Sequence, residues 1–505
     1  MRRLPNALYR AEQVREFDRL AIEEQGIAGA ELMERAGQAA FNALREAWPR
    51  ARRIAVLAGI GNNGGDAYVV ARLAHDAGFA VHLWQVGDAH KLKGDARVMA
   101  RLWRDAGGET QDYKTSLDLG GSDVVVDGLL GTGLNTELEG DWADAVRAIN
   151  ESHAGVMALD IPSGLHADTG CAMGCAVTAQ LTISFIALKQ GLFTAEGPRY
   201  CGRLLYDDLR LPPQVLMSQV PAVSRLTFAG VAHLLAPRRR DAHKGDFGHV
   251  LVIGGEAGMG GAVRLAAEAA LRVGAGLVSV ATRPVHAAAI SAARPELMCH
   301  AVTKASELRP LLAKADVVAI GPGLGQSDWA QALLDSVLAC GLPMVVDADA
   351  LNLLAIEPVQ SDNWILTPHP GEAARLLNQD TTVIQADRFA AVKALQQGFG
   401  GVAVLKGAGS LVAAADSPLA LCDAGNPGMA SGGMGDVLTG VIAGLLAQRR
   451  SLKTDPAHAL AVAARLGVSV HARAADLAAK EGGERGLLAS DVIATLREVV
   501  NPAAF

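Results

Sequence analysis

Apolar residues fall along this chain in two alternating patterns. Short runs dense in Val, Ile and Leu, such as IAVLA (54–58), VHLWQV (81–86), DVVVDGLL (123–130) and GVMALDI (155–161), have the length and composition of buried strands. Between them lie AYVVARLAHDAG, DARVMARLWRDAG and DWADAVRAINES, amphipathic stretches with the period of a helix that buries one face. Strand and helix at this cadence predict a mostly parallel sheet covered on both faces. The cadence breaks at 209–227, LRLPPQVLMSQVPAVSRLT, where three prolines and no helical period read as a linker. It restarts with HVLVIGG, GAVRLAAEAALRVG and GLVSVAT. Further strand-to-loop edges follow in ADVVAIGPGLG, PMVVDADALNLL, NWILTPHPGE and VAVLKGAGS, before the closing helical stretch HALAVAARLGVSVHARAADLAAK. The expectation is two α/β domains, residues 1–215 and 225–505, joined near 212–226. In open sheets of this kind ligands sit beyond the carboxyl ends of the strands, which directs attention to the loop after each strand.

Composition narrows the chemistry. At 505 residues, 50% hydrophobic and 20% charged, the chain can bury large cores without disulfides or structural metals. Aromatics at 4% and a net charge of -7 argue against nucleic-acid binding, though a local phosphate site stays open. Of the six cysteines only Cys171 and Cys175 are close in sequence, with no further metal-ligand pattern beside them, and reduced, incidental thiols are expected. The N-terminus has no apolar signal region, and no apolar run reaches the ~18 residues of a membrane span. A soluble, cytoplasmic protein without a membrane partner is the expectation.

Three neighbouring strand ends in the first half carry polar loops. After IAVLA comes GIGNNGGDAYVV, which contains G-x-G-x-x-G as Gly59, Gly61 and Gly64 and fits a phosphate cradle at a helix start. A dinucleotide dehydrogenase would also place an acid at the end of the next strand for the ribose; that strand ends in Gln85-Val86-Gly87. A plain tight turn, with Asn tolerating positive φ, is the bland alternative. DVVVDGLLGTGLNTE adds Asp127 and a second glycine loop, and ALDIPSGLHADTG adds Asp160 and Ser163. Anionic and neutral oxygens together suit a hard cation, although a strand-end carboxylate can also simply bind backbone amides.

In order, LYRAEQVREFD, GIGNNGGD, VVDGLLGTGL, LDIPSGL and TISFIALKQGL resemble the NAD(P)H-hydrate epimerase domain over nearly all of residues 1–220. The resemblance implies a Rossmann-like domain that binds a nicotinamide nucleotide hydrated on its ring. It implies substrate contacts at Asn62, Asn63, Gly64, Gly65 and Asp66, at Gly131, Thr132, Gly133, Leu134, Asn135, Thr136 and Glu137, and at Asp160. It implies potassium ligands at Asn63, Asp127 and Ser163. Ala67 stands where the family pattern carries Gly. Asp160 is the candidate acid that protonates the departing hydroxyl.

The second half holds GNPGMASGGMGDVLTGVIAGLL. Val437, Leu438, Val441, Ile442, Leu445 and Leu446 recur at helical spacing, which puts Asp436 in the first turn behind Gly432, Gly433 and Gly435. Unpaired amides there can hold a phosphate, and a carboxylate can take the proton of a hydroxyl under phosphorylation. Simple helix capping by Asp is the alternative. No G-x-x-x-x-G-K-[ST] occurs. The segment resembles the ribokinase-like fold. HKGDFGHVLVIGG, GPGLG, VVDADALN, TPHPGE, LKGAGS and GNPGMASGGMGDVLTG together resemble the NAD(P)H-hydrate dehydratase family over about 225–500. That implies substrate contacts at Ala262, Gly323, His369 and Asp436, and an ADP site at Lys406, Gly407, Ala408, Gly409, Ser410 and Gly435. A His in a Pro-rich turn can equally be a satisfied structural residue. Magnesium is implied with ADP, with Asp347, Asp349 and Glu372 as its candidate carboxylates.

Taken together, the resemblance implies a metabolite-repair enzyme, both isomerase and lyase: R and S epimers of hydrated NADH or NADPH interconvert, and the S form is dehydrated at the expense of ADP. A homo-oligomer is expected on the same basis. The alternatives are a ribokinase-like small-molecule kinase with a regulatory N-terminal nucleotide-binding domain, or a non-enzymatic nucleotide sensor.

Overall fold

The computed structural model describes residues 4–113, 117, 119–415, 417–448 and 458–502. The chain divides into two compact units, Met1–Ser224 and Arg225–Phe505.

The first unit is built on a seven-stranded parallel sheet. Its order is Thr110–Asp112, Ala80–Gln85, Arg53–Ala58, Val124–Gly128, Gly155–Leu159, Leu181–Phe185 and Arg203–Asp207. The central strands are buried along nearly their whole length, which is why they read as unbroken apolar runs rather than alternating ones. Strand order reverses between Arg53–Ala58 and Val124–Gly128. Loops leaving a sheet at such a reversal diverge and open a crevice. The NNGGD and GTGLNTE loops both start there.

In the second unit seven parallel strands run in the order Met298–Ala301, Leu277–Thr282, His249–Ile253, Val317–Ile320, Met344–Val346, Trp364–Leu366 and Val402–Leu405. An antiparallel extension, Ser410–Ala414 and Ser417–Cys422, continues the sheet past the last of them. Here the order reverses between His249–Ile253 and Val317–Ile320, the strands that lead to Ala262 and Gly323. The helix Met434–Ala447 packs along Gly260–Arg272 so closely that a Cβ at Gly440 would stand 1.9 Å from the Ala266 carbonyl oxygen.

One sequence expectation needs amendment, and one element went unforeseen. The 209–227 stretch is not bare linker: Pro213–Leu216 forms a helical turn, and Ser224 and Val223 pair antiparallel with Ala7 and Leu8. This strand pairing satisfies backbone groups, which a Pro-rich composition alone does not reveal. The antiparallel hairpin 410–422 was also hidden, because its tip carries no strong turn dipeptide. None of the six cysteines takes part in a disulfide. Among the described residues no helix is long and apolar enough to cross a membrane.

Candidate functional sites

In the first unit a cleft of about 510 Å³ opens at the strand reversal. Asn62, Asn63 and Asp66, Gly131 to Thr136, and Asp160 line it. Gly61 precedes the helix Asn62–Asp76, so both asparagines sit in its first turn and neither takes a positive φ. That removes the tight-turn alternative. Gly64 and Gly65 are buried in the same turn. Glu137 is not part of the cleft wall; its Cβ lies 3.7 Å from where a Cβ at Gly174 would stand. Ala67 is fully buried, 2.4 Å from a notional Cβ at Gly128, so its methyl is accommodated by a glycine on the facing strand.

Beneath the cleft floor Asp127, Ser163 and Asn63 form one network. The Ser163 hydroxyl donates to Asp127 Oδ1 at 2.6 Å, and the Ser163 amide donates to Oδ2 at 2.8 Å. Asn63 Nδ2 donates to the Leu130 carbonyl at 2.9 Å, while its Oδ1 is buried with no partner. Burial pushes the Asp127 carboxyl up to about 6 against the bonds from Ser163 and Leu129. An orphaned amide oxygen beside a hydroxyl, a carbonyl and a buried carboxylate is a donor set that fits a monovalent hard cation.

Asp160 has a left-handed backbone, φ 63°, at the end of its strand. Its carboxylate forms an ion pair with Lys189, which is fully buried. Asp18 and Lys189 also line this cleft; both fall inside segments that carry the family resemblance, LYRAEQVREFD and TISFIALKQGL, but neither is singled out there as a site residue. A further signal for Lys189 is that it is a lone charge inside the apolar stretch TISFIALKQGL. An ion pair does not suit Asp160 to the proton-donor role expected from sequence.

In the second unit Asp436 lies in the first turn of Met434–Ala447, after Gly433 in the left-handed region at φ 89°. Burial, then the like charge of Asp347, push Asp436 up to about 7; Lys406 opposes them, and Asp349 and Glu372 add to the rise. Lys406 Nζ bonds Asp347 Oδ1 at 2.7 Å and lies 3.6 Å from Glu372 Oε2. Thr439 takes the other oxygen of Asp347 at 2.7 Å. Burial pulls the Lys406 ammonium down, but Asp347, Glu372 and Asp436 together hold it above its usual range. A Cβ at Gly435 would be only 3.3 Å from Lys406 Nζ.

His369 caps the helix Pro370–Leu377: its Nδ1 accepts from the Gly371 and Glu372 amides, and its Nε2 lies 3.3 Å from Glu372 Oε1. Burial lowers its pKa, which favours the neutral ring. His369, Glu372, Lys406, Asp347 and Thr439 are thus one chain of contacts next to Asp436. Ala262 and Gly323 meet across the strand reversal, with 3.1 Å between the Ala262 Cβ and a notional one at Gly323. Leu265, one turn after Ala262, reaches within 2.7 Å of a notional Cβ at Gly433, so the same helix links this pair to the glycine start.

The KGAGS segment, with Gly407, Ala408, Gly409 and Ser410, joins Val402–Leu405 to Ser410–Ala414. Ser410 donates to the Gly407 carbonyl at 3.2 Å. Arg388, 1% exposed, braces the loop from below through the carbonyls of Leu405, Lys406 and Gly409. Asp347 has both oxygens committed. Asp349 accepts from the Gly325 amide at 2.8 Å. Among the described residues no group of three or more His, Cys, Asp or Glu could by itself hold a metal.

Comparison with known proteins separates the halves in the same way. A family model described as NAD(P)H-hydrate dehydratase matches residues 250–498. Another, described as YjeF-related protein N-terminus, matches residues 29–191. A bifunctional NAD(P)H-hydrate repair enzyme of Coxiella burnetii is 52% identical over 495 residues, covering 98% of this chain and 99% of the relative. One of Escherichia coli is 46% identical over 503 residues, covering 99% and 95%. A ribokinase-like superfamily protein of Enterococcus faecalis superimposes with a TM-score of 0.51 at 28% identity, covering 56% of this chain and 97% of that one. With full-length identity at this level, the chain belongs to the family of bifunctional NAD(P)H-hydrate repair enzymes.

Proposed function

We propose that residues 1–215 epimerise hydrated NADH and NADPH, and that residues 225–505 dehydrate the S epimer with ADP as co-substrate. The observation that carries the second assignment is Asp436, held near neutrality at a glycine-rich helix start beside Lys406. Asp436 accepts the proton of the substrate hydroxyl as its oxygen attacks the terminal phosphorus of ADP. The bond to AMP breaks, with Lys406, the KGAGS amides and the amides near Gly435 holding the phosphate charge. Phosphate then leaves with the C–O electron pair, the ring nitrogen lone pair follows, and loss of a ring proton restores the dihydronicotinamide. Ala262, Gly323 and His369 hold the nicotinamide nucleotide in this reading.

Magnesium supplies charge neutralisation to the phosphates when bound. Asp349, whose Oδ1 meets only the Asn352 side-chain amide at 3.4 Å, would offer it an oxygen, with phosphate and water completing the shell, whereas both oxygens of Glu372 are engaged by His369. In the first unit Asn63, Asp127 and Ser163 would hold potassium, which would supply a fixed positive charge to the site. Asn62, Asp66, the 131–136 loop and Asp160 bind the hydrated nucleotide. A homo-oligomer in the cytoplasm belongs to the same reading.

Phosphorus NMR of a turnover with ADP and S-epimer tests the assignment. AMP and free phosphate in equal amounts are expected. A stable phosphorylated organic product would replace it with the kinase reading.

A further inference from the structure

The cleft of the first unit gathers three carboxylates around one buried ammonium. Lys189 is fully buried, and its three donors go to Asp160 Oδ1, to Ser184 Oγ at 3.1 Å and to the Phe185 carbonyl at 3.0 Å. Asp160 Oδ1 is held a second time by the Phe185 amide at 3.1 Å. Its left-handed backbone, unfavourable for a non-glycine residue, fixes the direction of the side chain. Asp160 is thus immobilised by its ion pair with Lys189 and the Phe185 amide. Asp66, 9% exposed, and Asp18 line the same cleft with no hydrogen bond or ion pair of their own among the described residues. Arg15, exposed on the helix Ala11–Glu23, and Asp95, on Gly94–Asp105, complete the charged lining.

Lys189 and the exposed Arg15 cannot neutralise the four acids of this lining, and carboxylates confined together retain protons. Burial first, then the charges of Asp160 and Asp18, push Asp66 well above the carboxylate range against the pull of Lys189. Burial and Asp160 raise Asp18 to about 6.

We propose that Asp66 is the group that exchanges a proton with the substrate's hydroxyl oxygen, while Asp160, locked by the positioning residue Lys189, stays charged and stabilises the cation formed when that oxygen leaves. The proposal rests on the epimerase reading of this unit. In the forward step the Asp66 proton passes to the hydroxyl oxygen and the C–O bond breaks, its electron pair leaving with water. The ring nitrogen lone pair forms a C=N bond, giving an iminium cation. Water adds to that carbon on either face, the C=N pair returns to nitrogen, and the surplus proton returns to Asp66.

The test uses the full-length enzyme in potassium buffer with a single purified epimer of NADH-hydrate, following interconversion by chromatography from pH 5 to 9. The dehydratase activity of each variant reports that the chain is folded. Asp66→Asn is expected to slow epimerisation at least 100-fold with dehydration unchanged. Because the protonated form of Asp66 is the active one, the wild-type rate falls as pH rises through its pKa. Asp18→Asn removes a charge that favours protonation and moves that falling limb to lower pH. Lys189→Met removes the opposing charge and moves it to higher pH, with a reduced maximal rate that Lys189→Arg partly restores. Epimerisation by Asp66→Asn within threefold of an active wild type, or limbs unmoved by Asp18→Asn and Lys189→Met, would overturn the proposal. An inactive wild type would instead overturn the epimerase reading.

Discussion

Lys406 and Asp347 are partners in one ion pair, yet they act on Asp436 with opposite sign. Burial pushes Asp436 up to about 7, Asp347 pushes the same way, and Lys406 opposes. A base works only when ionised, so the dehydration rate should rise about tenfold per pH unit and level off above about 7. Lys406→Met removes the stabilising cation, which raises the pKa and moves this limb to higher pH. Asp347→Asn removes a repelling anion and moves it to lower pH. Deleting a unit charge in a site of effective dielectric about 20 is worth on the order of 1–2 kcal/mol. Each limb should therefore move by about one pH unit, in opposite directions. The stability costs differ as well. Asp347 is 1% exposed, so Lys406→Met strands a buried carboxylate at a cost of roughly 3–5 kcal/mol. That corresponds to a fall of roughly 10 °C in the Tm of a domain of this size. Asp347→Asn keeps an oxygen for Thr439 and leaves Lys406 with Glu372 at 3.6 Å, so it costs less. The assay is kcat against pH at saturating ADP and S-epimer, with thermal unfolding run on the same samples. Limbs that move together, or not at all, would refute the electrostatic account of Asp436.

Further outcomes follow from the same geometry. Asp436→Asn should lower the dehydratase kcat by about 10²–10⁴ while leaving epimerisation unchanged, as measured separately on each epimer. Potassium should raise the unfolding temperature of the wild-type enzyme, and Asn63→Leu, which deletes the orphaned oxygen, should abolish that increment relative to a sodium control. Gly440→Ala should destabilise the second unit by more than about 2 kcal/mol in denaturant titration, because the added methyl meets backbone at 1.9 Å and neither helix can yield cheaply.

Much of the architecture was legible because buried parallel strands are continuous apolar runs. IAVLA, for example, became Arg53–Ala58 with five of its residues buried. Asp436 was legible for a local reason: glycines and a helical period bracket it within a few residues. Lys189 and Arg388 were not, since what buries them comes from elsewhere in the chain. Asp160 is 29 residues from Lys189, and the carbonyls held by Arg388 lie 17 to 21 residues on. A charged side chain that is solvated and one that is enclosed look alike in one dimension. Glu137 shows the converse: a position that the family resemblance implies with its neighbours as a substrate contact, which the path of the loop takes off the cleft wall.

The central claim is that one chain carries two activities that together repair both epimers. Its most direct test is absorbance at the reduced-nicotinamide band, with purified enzyme, mixed NADH-hydrate epimers, ADP, magnesium and potassium. Complete recovery, faster than spontaneous epimerisation and lost to a half-amplitude burst in Asp66→Asn, is the predicted result. Absence of any rise with either ADP or ATP would contradict it.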